Sequence, residues 1–267
     1  MTTTENSAAV FVPQTLIQSQ RMLLHLFRNP MSLVQSIVYP ASMLVILDIV
    51  LGRQVSAFAG HDSLYGTVPM TALLSAMLGA VAGAVTLGRE WDAGILARFW
   101  VLPIHRASGL AARVTSEGAR ILATTTLITG LGLLLGFRFS GSLFSGSVYS
   151  VLAFVAVPLM FGIAFATAVI AASFTLGKTL LVESVSLLCS LAMFFNPGFV
   201  PLAAYPTWLQ PLVENQPMSC AIEAMTALAL GEPAGAPLLK AAAWSSVIFA
   251  VAVVPALRGL RRATVPR

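Results

Sequence analysis

Few residues in this chain have a type and spacing suited to chemistry. Gly177-Lys178-Thr179 matches the end of a phosphate loop, G-x-x-x-x-G-K-[ST], in which backbone N–H groups cradle phosphate. The motif's first glycine falls at Ala172, and the run sits between two apolar segments instead of after a strand. It reads as a turn, so the chain is expected to bind no ATP itself. His25, His61 and His105 lie on separate segments without metal-ligand spacing, and neither H-E-x-x-H nor G-x-S-x-G occurs. No cofactor or metal site is expected. Cys189 lies in an apolar run and Cys220 in a loop, which argues against a disulfide framework.

Polar groups inside apolar runs remain, because an ionisable side chain in hydrocarbon is costly and is a functional candidate by default. Asp48, Glu183 and Asn196 are such groups. Asp48 lies roughly 22 Å of helix beyond Leu33, near the outer face, where it can snorkel or pair with Arg53. Glu183 lies near the inner face, close to Lys178, where a structural pair or a favourable helix dipole accounts for it. An ion-coupled carrier would bring such groups together near mid-membrane. That class, with Asp48 and Glu183 as its coupling groups, is the alternative to the reading below, and a non-transport scaffold is a third.

The composition decides which elements must hold these residues. Of 267 residues, 57 % are hydrophobic and 9 % are charged, against about 25 % charged in soluble domains. A soluble enzyme, a nucleic-acid binder and a disordered chain are excluded. The chain reads as an all-α membrane protein, and no basic n-region of a secretory signal opens it.

Six stretches approach the roughly 20 apolar residues a membrane helix needs. They are Leu33–Gly52, Gly66–Gly88, Gly118–Phe137, Val148–Leu176, Leu180–Leu202 and Leu238–Leu257. The fifth is expected to break at Asn196-Pro197-Gly198. With the N-terminus inside, 12 of the 15 Lys and Arg fall on the inner side, leaving Arg53, Arg138 and Lys240 outside. The positive-inside rule therefore predicts a plasma-membrane protein with both termini cytoplasmic. Gly79-x-x-x-Gly83 and Gly132-x-x-x-Gly136 offer close helix approach and weak support for a dimer.

Three further segments stand out. After a flexible stretch 1–10, Gln14, Gln18, Arg21, His25 and Arg28 form one stripe of a helix over Phe11–Asn29. Leu16, Ile17, Leu23, Leu24 and Phe27 lie opposite, as in an amphipathic helix on the inner leaflet in contact with membrane lipids. The inner loop Arg89–Glu117 carries Trp91, Phe99 and Trp100, and Ile95, Phe99 and Leu102 lie at helical spacing before Pro103. Such a long aromatic loop suits either docking of a cytoplasmic partner or an interfacial anchor. The outer segment Ala203–Pro237 has no Lys or Arg, and its apolar runs, with Tyr205 and Trp208 beside them, are too short to cross. It reads as re-entrant or interfacial helices.

Two stretches carry a family resemblance. Arg28-Asn29-Pro30, Pro40 and Leu51-Gly52 around the first span, and Arg89-Glu90-Trp91-Asp92-Ala93-Gly94-Ile95-Leu96-Ala97-Arg98 with Val101-Leu102-Pro103, resemble the permease subunits of type-2 ATP-binding-cassette exporters. Ala97–Leu110 is similar to the daunorubicin-resistance-type permeases of mycobacteria, including those linked to phthiocerol dimycocerosate export. The resemblance implies a non-catalytic permease that pairs with a second permease chain, itself or a sister. It also implies a cytoplasmic ATP-binding subunit that holds ATP and Mg. The inner loop would be the coupling helix: Glu90, Gly94, Arg98 and Pro103 match the family pattern. Ile95, Phe99 and Leu102 would give apolar contact, and Arg98 and Arg106 would pair with acidic groups. The implied substrate is a lipid or hydrophobic drug-like compound, and the outer re-entrant helices would form its exit.

Overall fold

The computed structural model describes residues 8–28, 30–59, 61–94, 108–139, 147–176 and 178–264. Among these no strand occurs. Hydrocarbon offers backbone N–H and C=O groups no partner, and a helix satisfies them within one segment. The helices are α1 (Ala8–Arg28), α2 (Pro30–Leu33), α3 (Tyr39–Ala59), α4 (Leu64–Asp92) and α5 (Ser108–Leu135). They continue as α6 (Ser147–Ser173), α7 (Lys178–Phe194), α8 (Gln210–Asn215), α9 (Pro217–Leu230) and α10 (Gly235–Thr264). A π-turn, Val34–Val38, joins α2 to α3.

Four helices, α4, α5, α6 and α10, are long and apolar enough to cross a membrane. The apolar parts of the first and fifth expected spans are shorter, Val34–Val50 and Thr179–Phe194. In the first, the π-turn interrupts the helix, and α3 then runs past Gly52 through Arg53 to Ala59. In the fifth, Asn196 ends the helix with its own side chain. Its Nδ2 donates to the carbonyls of Ala192 (2.9 Å) and Met193, and its Oδ1 accepts the N–H groups of Gly198 (2.9 Å) and Phe199 (3.0 Å). Every polar atom of this buried amide is thus spent on local backbone, as a helix-terminating asparagine requires.

α4 lies at the centre, against α3, α5, α6, α7 and α9, and α10 lies along α6. The core runs through Met70, Leu73 and Met77 of α4, Phe154 of α6, and Ile222 and Met225 of α9. The 14 residues of α9 cover about 21 Å, short of a hydrocarbon core of about 30 Å. Gly231, at φ +76°, ends the helix in the left-handed conformation usual just past a helix C-terminus. Tyr205 stands before α8 and donates its hydroxyl to the Phe194 carbonyl at 2.8 Å, whereas Trp208 is exposed.

Several boundaries differ from expectation. α1 starts at Ala8, inside the stretch expected to be flexible, and residues 1–7 lie outside the described residues. α4 continues to Asp92 and α5 starts at Ser108, so much of the expected inner loop is helix. Residues 95–107 lie outside the described residues, and with them Ile95, Arg98, Phe99, Leu102, Pro103 and Arg106.

Candidate functional site

One end of the bundle gathers the second half of α1, the last turns of α4, α6 and α10, and the first turns of α5. Glu90, near the end of α4, ties three of them together. Its Oε1 accepts from Arg21 of α1 at 3.2 Å, and its Oε2 accepts from Arg113 of α5 at 2.5 Å. Next to it, Trp91 turns inward, its ring 5.4 Å from that of Phe174, within a small cluster that includes Leu87 and Leu260. The helical turn thus gives neighbouring residues two jobs: Glu90 joins the charges and Trp91 joins the helix ends.

Two turns further into α5, Glu117 and Arg120 pair at i and i+3. Arg120 is only 2 % exposed. Its guanidinium also donates to the carbonyls of Ser75 (3.2 Å) and Ala76 (3.0 Å) on α4. Ser75 in turn donates its hydroxyl to the carbonyl of Ser36, inside the π-turn, at 2.5 Å. A π-turn shifts the backbone ladder by one residue, and here Ser75 takes up a carbonyl within it. A string of polar contacts therefore runs from α5 through α4 to the first apolar segment. A buried guanidinium is tolerated only when paired and hydrogen-bonded, and Arg120 is both.

The sequence placed Glu117 at the end of the inner loop and Arg120 just inside the third span, without a partner for either, and their pairing and the burial of Arg120 were missed. The signal was present in Gly79-x-x-x-Gly83. A Cβ at Gly79 would overlap the Arg120 guanidinium, and one at Gly83 would lie 4.0 Å from Glu117 Oε2. These glycines make room for the ion pair within the chain. Gly132 likewise packs on Val68, and Gly136, at φ +119°, ends its helix. Neither pair brings support for a dimer.

Of the stripe on α1, Gln14 and Gln18 are half-buried, and α1 packs on α5. Arg21 joins Glu90 and Arg28 is exposed; the His25 side chain lies outside the described residues. The apolar side is the exposed one: Ile17 is 68 % exposed, with Leu16 and Leu24 beside it. Asp48 forms no ion pair with Arg53 among the described residues, and Glu183 is exposed on α7. The structure does not bring Asp48, Glu183 and Asn196 together. Gly94 follows α4 at φ +67°.

The ABC-2 type transporter model matches residues 13–230, most of the chain. The chain belongs to the ABC-2 type transporter family. It is 40% identical over 260 residues to the probable doxorubicin resistance ABC transporter permease protein DrrC from two strains of Mycobacterium tuberculosis. That match covers 97% of this chain and 92% of the relative. It is 26% identical over 226 residues to the daunorubicin resistance ABC transporter permease protein DrrB1 of Streptomyces coeruleorubidus, covering 84% of this chain and 77% of the relative. The permease is thus a non-catalytic membrane subunit of an ATP-binding-cassette transporter. Family membership implies an ATP-binding partner that performs the hydrolysis and a second permease chain. It places the permease in the plasma membrane and ends the case for a carrier acting alone.

Proposed function

We propose that this permease exports a hydrophobic, amphipathic compound, a lipid or a drug-like molecule, driven by a separate cytoplasmic ATPase. In this reading six segments cross the membrane, both termini are cytoplasmic, and Ala203–Pro237 forms re-entrant helices at the exit. The segment between α4 and α5, residues 93–107, couples the permease to the ATPase. Glu90 is the observation that carries the proposal. The carboxylate next to the loop holds α1, α4 and α5 in one ion-paired cluster, so a push on the loop reaches three helices at once. Within the loop, Gly94 allows the sharp exit from α4. Ile95, Phe99, Leu102 and Pro103 supply the apolar docking face, and Arg98 and Arg106 the charges that meet acidic groups on the ATPase. α1 lies on the inner leaflet with its exposed apolar side in lipid. The drug-resistance names of the relatives favour amphipathic cargo.

The test is affinity purification of the tagged permease in mild detergent. A P-loop ATPase is expected to come with the native chain, together with a second permease chain, and Arg98→Glu is expected to lose the ATPase while still inserting. Retention of the ATPase by Arg98→Glu would contradict the docking assignment.

A further inference from the structure

A cavity of about 830 Å³ opens at the same end of the bundle, between α1, α4, α5 and α6. Among the described residues, five arginines line it, Arg21, Arg28, Arg89, Arg113 and Arg120, against two carboxylates, Glu90 and Glu117. Each carboxylate is already engaged: Glu90 by two guanidiniums and Glu117 by Arg120. Arg28 and Arg89 are exposed and have no anionic partner among the described residues. The cavity therefore carries uncompensated positive charge where two guanidinium forks remain available. Such forks match the oxygens of a phosphate group in bidentate geometry. The lining also has an apolar part, with Ala80, Ala84, Ala166 and Ile170. Cationic and apolar lining together fit a molecule with an anionic head and an alkyl tail.

We propose that this cavity binds the phosphate-bearing headgroup of an anionic amphiphile, with Arg28 and Arg89 as its primary contacts and the alkyl chain against Ala80, Ala84 and Ile170. Basic pockets between helices at a membrane surface hold anionic headgroups by this chemistry. The proposal goes beyond the exporter reading and depends on neither the ATPase nor the direction of transport.

The test uses the purified full chain in neutral detergent. Phosphatidylglycerol and phosphatidylcholine of equal chain length are titrated separately, and bound lipid is read by native mass spectrometry. The native permease is expected to prefer phosphatidylglycerol by about thirtyfold or more. Arg28→Ala with Arg89→Ala is expected to lower that preference by about thirtyfold, each single variant by part of it, and Arg258→Ala, an exposed arginine that is not part of the cavity lining, not at all. The single variants decide the matter if the double variant fails to fold. Inorganic phosphate is the second arm. Failure of millimolar phosphate to displace the lipid supports an amphiphile, whereas full displacement with binding of phosphate alone would overturn it in favour of a soluble anion. Equal binding of the two lipids, or unchanged preference in the arginine variants, would overturn the site itself.

Discussion

Among the described glycines, Gly79 is the one whose Cβ would meet another atom at the shortest distance, the Arg120 guanidinium. The guanidinium lies where a Cβ of residue 79 would stand, and it bonds two carbonyls of α4 and one carboxylate of α5. Gly79→Ala must displace it and leave a buried charge without full satisfaction. The expected cost is at least about 2 kcal/mol, read as a lower melting temperature of the purified chain. Gly130 on α5 has open space around it, so Gly130→Ala should be neutral or gain about 0.5–1 kcal/mol from helix propensity. Equal melting of the two variants would remove the structural role assigned to Arg120. Glu90 makes a different prediction, because its partners come from two other helices. Glu90→Gln leaves Arg21 and Arg113 facing each other without a neutralising charge. Amide hydrogen exchange in α1 is expected to quicken while that in buried α9 stays unchanged; unaltered protection of α1 would show that the ion pairs do not hold it.

At the scale of elements, the end of α4 sets how the inner loop leaves the bundle. Gly94 adopts φ +67° with no atom of the described residues within 4 Å of where a Cβ would be, so conformation is the reason for glycine there. Asparagine tolerates the left-handed region and β-branched residues do not. Gly94→Asn is therefore expected to keep ATP-dependent export largely intact, and Gly94→Val to abolish it with normal membrane insertion. Equal activity of the two would mean that the turn does not matter for coupling. Much of this layer was legible in the sequence. Apolar length marked α4, α5, α6 and α10, and Asn196-Pro197-Gly198 marked the end of α7. The π-turn was not legible, because nothing in Val34-Gln35-Ser36-Ile37-Val38 departs from an ordinary apolar helix; its partner, Ser75, lies on another helix. The early start of α5 was missed for a related reason. Its first turns carry Arg113, Glu117 and Arg120, which read as charges without partners until the facing carboxylate and glycines are in place. Composition records what a side chain costs to bury, whereas the partners that offset the cost come from distant sequence.

On the scale of the whole molecule, a single chain leaves much apolar surface uncovered. Leu187, Leu188 and Leu191 of α7, Ile49 and Val50 of α3, and Val247 and Val251 of α10 are exposed, as lipid- or partner-facing helices require. The ion pairs that join different long helices gather instead where the second half of α1, the end of α4 and the first turns of α5 meet; a separate pair, Lys240–Glu214, ties α10 to α8. Helices α1, α4 and α5 also line the cationic cavity. The central claim is that the loop after Glu90 touches the ATPase. A photo-reactive residue placed at Phe99, in native membranes, tests it most directly. The predicted result is a covalent adduct with an ATP-binding subunit, absent when the probe is moved to Tyr149 at the opposite end of α6. Adducts to lipid alone from Phe99, in a permease that still exports, would contradict it.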